Sequence, residues 1–152
     1  MEKYNQNSKE YDPCMHSAEH ILNQTMVRLF NCGRDFRAHI EKKKSKCDYH
    51  FERNLTTEEI DRVEGMVNEI IRQNLPIRER ILTRADAEKL VSLEKLPQDA
   101  GDRIRIITIG DFDMCPCSGI HASSTQEIGT FKIVSTDQAD GVLRIRFKIH
   151  GS

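Results

Sequence analysis

The residues best suited to chemistry in this sequence form a dense group of sulfur and nitrogen ligands. Residues 114–121 read Met-Cys-Pro-Cys-Ser-Gly-Ile-His and hold Cys115, Cys117 and His121. A second group, His16 and His20, stands near the start of the chain. Thiolate sulfur and imidazole nitrogen are ligands that zinc prefers in proteins, usually four at a time. We therefore expect the two groups to meet around a zinc ion.

The spacing within each group supports this hypothesis. His16 and His20 are four residues apart, so on a helix they share one face. Gly119 would let the backbone bend tightly between Cys117 and His121. The predicted metal ligands are therefore two histidines from a helix and a cysteine and a histidine from a loop.

Other interpretations of these residues remain open. Cys14 and Cys115 each lie two residues from a predicted ligand and are possible alternative ligands, although a small buried thiol also fits them. A thiol redox site at Cys115-Pro116-Cys117 has one residue too few between its cysteines. A zinc peptidase is not indicated, because Glu19 precedes the second histidine instead of following the first.

Two elements must position these ligands. A helix over residues 15–30 is predicted from the helical spacing of Ala18, Leu22, Met26 and Leu29. A strand over residues 103–109, rich in isoleucine, leads into the Cys/His loop. A second helix is predicted to begin at a capping box formed by Thr56 and Glu59 and to end near residues 74–76. The remaining predicted elements are a hairpin (36–41 and 47–51), a strand (77–82), a helix (84–93), a connector (96–101) and two strands (131–134 and 143–149) joined by a turn at Asp140-Gly141. The fold class is α+β, with an antiparallel β-sheet packed against helices and a cleft holding the metal.

The bulk properties bound the class of protein. The chain has 152 residues, five cysteines and a net charge of −1. We expect one domain over residues 14–152 after a polar N-terminal leader over residues 1–13. No apolar run approaches a membrane span and the first ten residues do not form a signal peptide, so a cytoplasmic protein without a membrane partner is expected. An odd cysteine count then favours thiols or metal ligands over disulfides. A nucleic-acid partner cannot be inferred from the global charge, so local basic patches would have to bind one.

Several motifs together resemble a known family. They are His16-x-x-x-His20, the helix segment at 63–71, the strand Arg103-Ile104-Arg105-Ile106 leading to 109–111, and Cys117-Ser118-Gly119-Ile120-His121 followed by residues 125–133. In this order they resemble the editing domain shared by alanyl- and threonyl-tRNA synthetases, over residues 15–151. No aminoacylation domain fits in the remainder, so the chain is most similar to the small freestanding alanyl-tRNA editing proteins.

The resemblance implies a function and a site. It implies a trans-acting, ATP-independent hydrolase that deacylates mischarged tRNA(Ala), chiefly seryl-tRNA(Ala) and possibly glycyl-tRNA(Ala), by binding the acceptor end. It also implies a zinc ion held by His16, His20, Cys117 and His121, with a catalytic water on the metal positioned by His16 and His20. The oligomeric state is left open.

The sequence also offers candidate contacts for the substrate. Gln24, Ser118 and Thr125 are candidate substrate-binding residues, and the basic strand face of Arg144, Arg146 and Lys148 is a candidate tRNA-binding surface. A solvated strand face is an equally good interpretation of those three cations. A charged turn is an equally good interpretation of Lys42, Lys43, Lys44 and Lys46, which could also meet tRNA phosphates.

Three departures from the family pattern concern amino-acid recognition. Cys115 stands where the synthetases carry an acidic residue, Glu19 stands where alanyl enzymes often have threonine, and residues 34–39 lack a Gln-x-Gly-Ser segment. Editing of seryl-tRNA(Thr) and a non-catalytic, zinc-stabilised module that binds tRNA or another partner are therefore alternative functions.

Overall fold

The computed structural model describes residues 11–93 and 101–151. Most of the predicted leader (1–13) and of the predicted connector (96–101) lies outside these described residues. Among them, no helix has the length and apolar character needed to cross a membrane.

The first helix, α1 (Pro13–Phe30), carries both predicted histidine ligands. Asp12 caps it by accepting a hydrogen bond from the Met15 amide, and Pro13 occupies the first turn, where its missing N–H costs nothing. Helix α1 therefore starts two residues earlier than predicted, inside the segment assigned to the leader. Asn31 ends it in a left-handed conformation, with φ 53°.

The second helix, α2 (Thr57–Arg72), begins with the predicted capping box. The Thr56 hydroxyl accepts from the Glu59 amide at 3.1 Å, and the Glu59 carboxylate accepts from the Thr56 amide at 2.9 Å. The third helix, α3 (Arg84–Glu88), is shorter than the predicted 84–93. Its last turn tightens, with the Lys89 amide bonding to the Asp86 carbonyl, and the next residues line a cavity.

Within residues 11–93 and 101–151, seven strands form two antiparallel sheets. The four-stranded sheet has the order β1 (Arg37–His39), β2 (Ser45–His50), β7 (Val142–His150) and β6 (Thr130–Ala139). The three-stranded sheet has the order β3 (Ile77–Thr83), β4 (Arg103–Ile109) and β5 (Asp113–Pro116). The α+β class is thus confirmed, but the prediction of one sheet is wrong. Strand β4 is paired on both edges, by β3 and β5, so the β6–β7 hairpin has no edge there to join.

The β6–β7 hairpin extends further than the predicted strands 131–134 and 143–149. Asp140 and Gly141 both have positive φ, 54° and 78°, which suits the two-residue turn that keeps the strands paired. The extra residue at the register shift between Ile133 and Ser135 is absorbed as a bulge.

Strand β4 lies between two hydrophobic cores. Ile107 and Ile109 join the main core, which is built from α1, α2 and the inner face of the four-stranded sheet. Ile104 and Ile106 pack with Ala87 in a smaller core beneath α3. The sequence of β4 alternates isoleucine with polar residues, but the phase of the alternation changes at Ile106-Ile107, so the first two isoleucines face the smaller core and the last two face the main core. This strand therefore fixes the path of the chain into the Cys/His loop.

Candidate metal centre

The structure brings His16, His20, Cys117 and His121 together. One ligand atom from each lies within 4.8 Å of all the others. The Cys117 sulfur is 3.4 Å from Nε2 of His16 and 3.5 Å from Nε2 of His121. The His16 and His121 rings stack at a centroid distance of 4.1 Å, and His20 meets His121 edge-on at 4.4 Å. Three nitrogens and one sulfur thus converge on one point, which is a donor set suited to zinc.

Helix α1 and strand β4 hold the two halves of this cluster. His16 and His20 occupy successive turns of α1 and are 3% and 4% exposed. On the other side, the Cys117 amide donates to the Arg105 carbonyl of β4. The Arg105 guanidinium in turn donates to the carbonyls of Cys117 at 2.9 Å and Gly119 at 2.7 Å. Sequence reasoning missed this role of Arg105, because a cation on a strand gives no sign that it will bind a distant loop.

Gly119 is required by a close approach rather than by its backbone angles. A Cβ atom at this position would lie 2.8 Å from Nδ1 of His16 and closer still to the neighbouring ring carbon. The imidazole therefore packs directly over the loop backbone. The sequence predicted the need for glycine here but gave a different reason, a tight bend.

Hydrogen bonds on the far side of two histidines fix which nitrogen faces the cluster. Nδ1 of His16 lies 3.0 Å from the Ile120 carbonyl, which can only accept, so Nδ1 donates to it and Nε2 faces Cys117. Nδ1 of His121 lies 3.0 Å from the Ser17 hydroxyl, which also accepts from the Ala122 amide. Such outer hydrogen bonds are typical of metal-binding histidines. Ser17 was not singled out from the sequence.

The third histidine faces a carboxylate. Nδ1 of His20 is buried, lacks a hydrogen bond within the described part of the chain, and lies 3.7 Å from Oδ2 of Asp113. The Asp113 side chain is fully buried, and Arg34 and Gln24 donate to it at 2.7 and 3.1 Å. Burial would raise the pKa of Asp113, but His20 and Arg34 lower it to about 2. Asp113 is therefore an anion beside the ligand cluster.

Two of the four side chains, Cys117 and His121, have the protonation state that metal binding requires, whereas His20 does not. Burial would lower the pKa of His20, but Asp113 and Cys117 raise it well above its ordinary value. Burial alone would raise the pKa of Cys117, but hydrogen bonds from His121, His16 and His20 lower it to about 2. Burial and the charges of His20 and His16 lower the pKa of His121 to about 3. A thiolate beside a neutral imidazole is the ligand form of both side chains. The residues present therefore fit a zinc ion.

The two possible alternative ligands lie outside this group. Cys115 belongs to β5 rather than to a loop, and its thiol contacts the Pro116 carbonyl at 3.3 Å. The Cys14 thiol contacts the Glu127 carbonyl at 3.4 Å. The structure gives both the surroundings of small, partly buried thiols, and all five cysteines are free.

The predicted substrate-binding residues have different surroundings. Thr125 is fully buried, and its hydroxyl bonds to the backbone of Ile70, Ile71 and Leu75, which gives it a structural role. Gln24 supports Asp113. Ser118 is half-buried in the loop between two of the metal ligands.

A cavity of about 640 Å³ lies beside the cluster. Three of the predicted ligands line it, together with polar side chains and the apolar residues that follow α3: His16, His20, Cys117, Glu19, Asn23, Arg34, Asp35, Leu90 and Val91 among others. Glu19 is 8% exposed, and its carboxylate lies 3.6 Å from Nε2 of His16. Burial and the neighbouring Asp35 raise the pKa of Glu19. The sequence marked Glu19 only as a departure and gave no signal for Asn23.

The three predicted tRNA contacts lie on the side of β7 that faces away from the core. Arg144 donates to Asp48 at 2.7 and 2.9 Å, and Arg146 forms an ion pair with Asp137. Lys148 stands opposite Lys132 in the register of β6 and β7. The sequence did not reveal that acidic residues on neighbouring strands would pair with both arginines.

Comparison with known proteins gives a consistent set of relatives. Residues 104–146 match the family model described as the threonyl and alanyl tRNA synthetase second additional domain. The chain is 34% identical over 138 residues to alanine–tRNA ligase 1 of Lachnoclostridium phytofermentans. This alignment covers 86% of this chain and 15% of the ligase. The chain is 30% identical over 132 residues to the alanine–tRNA ligase of Haemophilus influenzae, again covering 86% and 15%. The chain therefore spans about a seventh of the length of these relatives.

Proposed function

The chain belongs to the editing-domain family shared by alanyl- and threonyl-tRNA synthetases, and from this premise we propose that it hydrolyses the ester of a mischarged tRNA. The proposed substrate is seryl-tRNA(Ala), with glycyl-tRNA(Ala) as a second, and the proposed action is in trans, without ATP. The observation that carries the proposal is the cluster of three histidines and one cysteine beside a cavity of about 640 Å³ that Glu19, Asn23 and Arg34 also line. Such a cavity is large enough for an aminoacyl group and the end of the tRNA.

In this proposal His16, His20, Cys117 and His121 hold a zinc ion. When bound, zinc would supply Lewis-acid chemistry or orient the substrate amine. The chain itself orients two of the imidazoles through Ile120 and Ser17, so that their Nε2 atoms face inward. Helix α1 and the loop clamped by Arg105 also form one wall of the cavity, which limits the water that reaches the ester.

Selection of serine over alanine requires a group that bonds the serine hydroxyl. A buried polar site of this kind rejects an analogue that lacks the hydroxyl, because its own groups are then left unpaired. Glu19 is our candidate, because its carboxylate lines the cavity beside His16. We propose it in preference to Thr125, whose hydroxyl is already committed to the backbone.

The test is deacylation by purified, zinc-loaded protein of a panel that contains seryl-, glycyl- and alanyl-tRNA(Ala) and seryl-tRNA(Thr). We expect rapid release of serine from tRNA(Ala), slower release of glycine, and no release of alanine. The matched control is His121→Ala, which removes a ligand while Ser17 and the loop remain, and it should be inactive. No turnover of any mischarged tRNA would contradict the proposal, and preference for tRNA(Thr) would reassign the substrate.

A second candidate function is a non-catalytic module that binds tRNA and is stabilised by zinc. The observation that favours it is the completeness of the donor set, because four protein ligands fill a tetrahedral zinc site, as in structural centres. The same panel separates the two functions. The module would retain tRNA on the protein in a filter-binding assay and release no amino acid.

A further inference from the structure

We propose that Asp113 is a positioning residue for the metal ligand His20, and that Arg34 and Gln24 hold its carboxylate in place. The inference rests on the proposed zinc centre and adds the group that orients its third histidine. It concerns a network that lies outside the four-ligand group, on the cavity side of α1.

The three histidines differ in what lies behind them. His16 and His121 each have a hydrogen-bond partner for Nδ1, the Ile120 carbonyl and the Ser17 hydroxyl. Nδ1 of His20 is buried and, within the residues that the structure describes, has no hydrogen bond. An Asp113 oxygen lies 3.7 Å away, which is longer than a hydrogen bond but within the range of an ion pair.

The carboxylate is held by two other side chains. Arg34 contacts both oxygens, at 2.7 and 3.3 Å, and Gln24 donates to Oδ1 at 3.1 Å. Such a two-point contact fixes the plane of the carboxylate as well as its position. Oδ2, the oxygen nearest His20, receives only the longer of the two arginine contacts. It therefore retains acceptor capacity for the Nδ1 proton.

The three members come from separate parts of the chain. Gln24 lies one turn beyond His20 on α1, Arg34 lies in the segment after that helix, and Asp113 begins β5. The Asp113 carboxylate is completely buried, and burying a charge is costly unless the charge is paired, as it is here with Arg34. The network thus joins α1 to β5 beside His20. A carboxylate behind a metal-binding imidazole sets its tautomer and raises its strength as a ligand.

The first test compares zinc affinity by chelator competition in wild type, Asp113→Asn and Asp48→Asn. Asp48 is the matched control, because it is also a buried aspartate paired with arginine, yet it lies on the four-stranded sheet. We expect Asp113→Asn to weaken zinc binding about 10–100-fold, as other partners of metal-binding histidines do. Asp48→Asn should lose stability but bind zinc like wild type. Equal affinity in folded Asp113→Asn and wild type would overturn the inference.

The second test does not require the metal. Nitrogen NMR spectra of histidine-labelled, zinc-free protein, recorded at an alkaline pH at which His20 is neutral, report which ring nitrogen carries the proton. We expect His20 to be protonated on Nδ1 in wild type and to shift towards a mixture of tautomers in Asp113→Asn, whereas His16 and His121 keep their signals. An unchanged His20 signal would count against the inference.

A folding defect in Asp113→Asn would not leave the question open. Arg34→Lys then takes its place, because an ammonium keeps the charge but cannot hold both carboxylate oxygens. It should lower zinc affinity and alter the His20 signal in the same direction, and wild-type values for both would overturn the inference. Failure of the wild-type protein to bind zinc would instead defeat the proposed metal centre, and the His20 signal would still decide the role of Asp113.

Discussion

At the scale of single residues, two cysteines separated by one proline differ sharply in chemistry. Burial raises the pKa of the Cys115 thiol, whereas three histidines overcome burial and lower the pKa of Cys117 to about 2. The difference arises from which element each belongs to. Cys115 belongs to β5, where it pairs with Ile107 of β4. Cys117 lies beyond the end of β5 and faces α1. Position in the fold, rather than residue type, separates a structural thiol from a ligand.

This contrast gives a direct prediction for the two thiols. Cys117→Ala should abolish stoichiometric zinc binding, because it removes the thiolate on which the imidazoles converge. Cys115→Ala, the matched control two residues away, should retain one zinc per chain. Metal analysis of the two purified variants, with circular dichroism to confirm folding, provides the measurement. Loss of zinc in Cys115→Ala with retention in Cys117→Ala would reverse the assignment of the ligand.

At the scale of elements, local signals predicted well and long-range partners did not. The capping box of α2, the histidine-bearing helix and the strand at 103–109 were all predictable, because each depends on residues within a few positions. The division into two sheets was not, since it depends on which edges of β4 are already paired. The approach of His16 and His20 to Cys117 and His121 was predictable, because all four side chains are of the types that zinc prefers. The roles of Ser17, Arg105 and Asp113 were not, because nothing local marks their distant partners.

Helix α2 offers a prediction at this scale, because one of its interior residues is glycine. A Cβ at Gly65 would meet nothing within 4 Å. Gly65→Ala should therefore raise the free energy of unfolding by about 0.5–1 kcal/mol, through the better helix propensity of alanine. Urea unfolding provides the measurement. Thr56→Ala is the opposing control, because it removes the N-cap and should cost about 1 kcal/mol. A destabilised Gly65→Ala would contradict this prediction.

At the scale of the whole molecule, the four-stranded sheet has a core face and an outer face, and along β7 the fully buried residues alternate with the partly exposed Arg144, Arg146 and Lys148. Cations stand opposite one another across its strands, Lys46 with Arg146 and Lys132 with Lys148. Like charges directly opposite are destabilising, and in each pair one cation has an acidic partner, Asp137 for Arg146 and Glu64 for Lys132. The cations that follow β7 on this face suit a surface that meets an anion, so the face remains our proposal for contacts with tRNA phosphates.

The proposed zinc ion would connect the two halves of the molecule, because its ligands come from α1 and from the loop after β5. A ligand that binds only the folded state stabilises it by an amount set by its concentration relative to Kd, about 2.7 kcal/mol at a hundredfold excess. We therefore expect a chelator to lower the Tm of the wild-type protein and zinc to restore it. Cys117→Ala should unfold at one temperature with or without chelator. A wild-type Tm that chelator leaves unchanged, in protein shown to contain zinc beforehand, would mean that the metal does not join the helix to the loop.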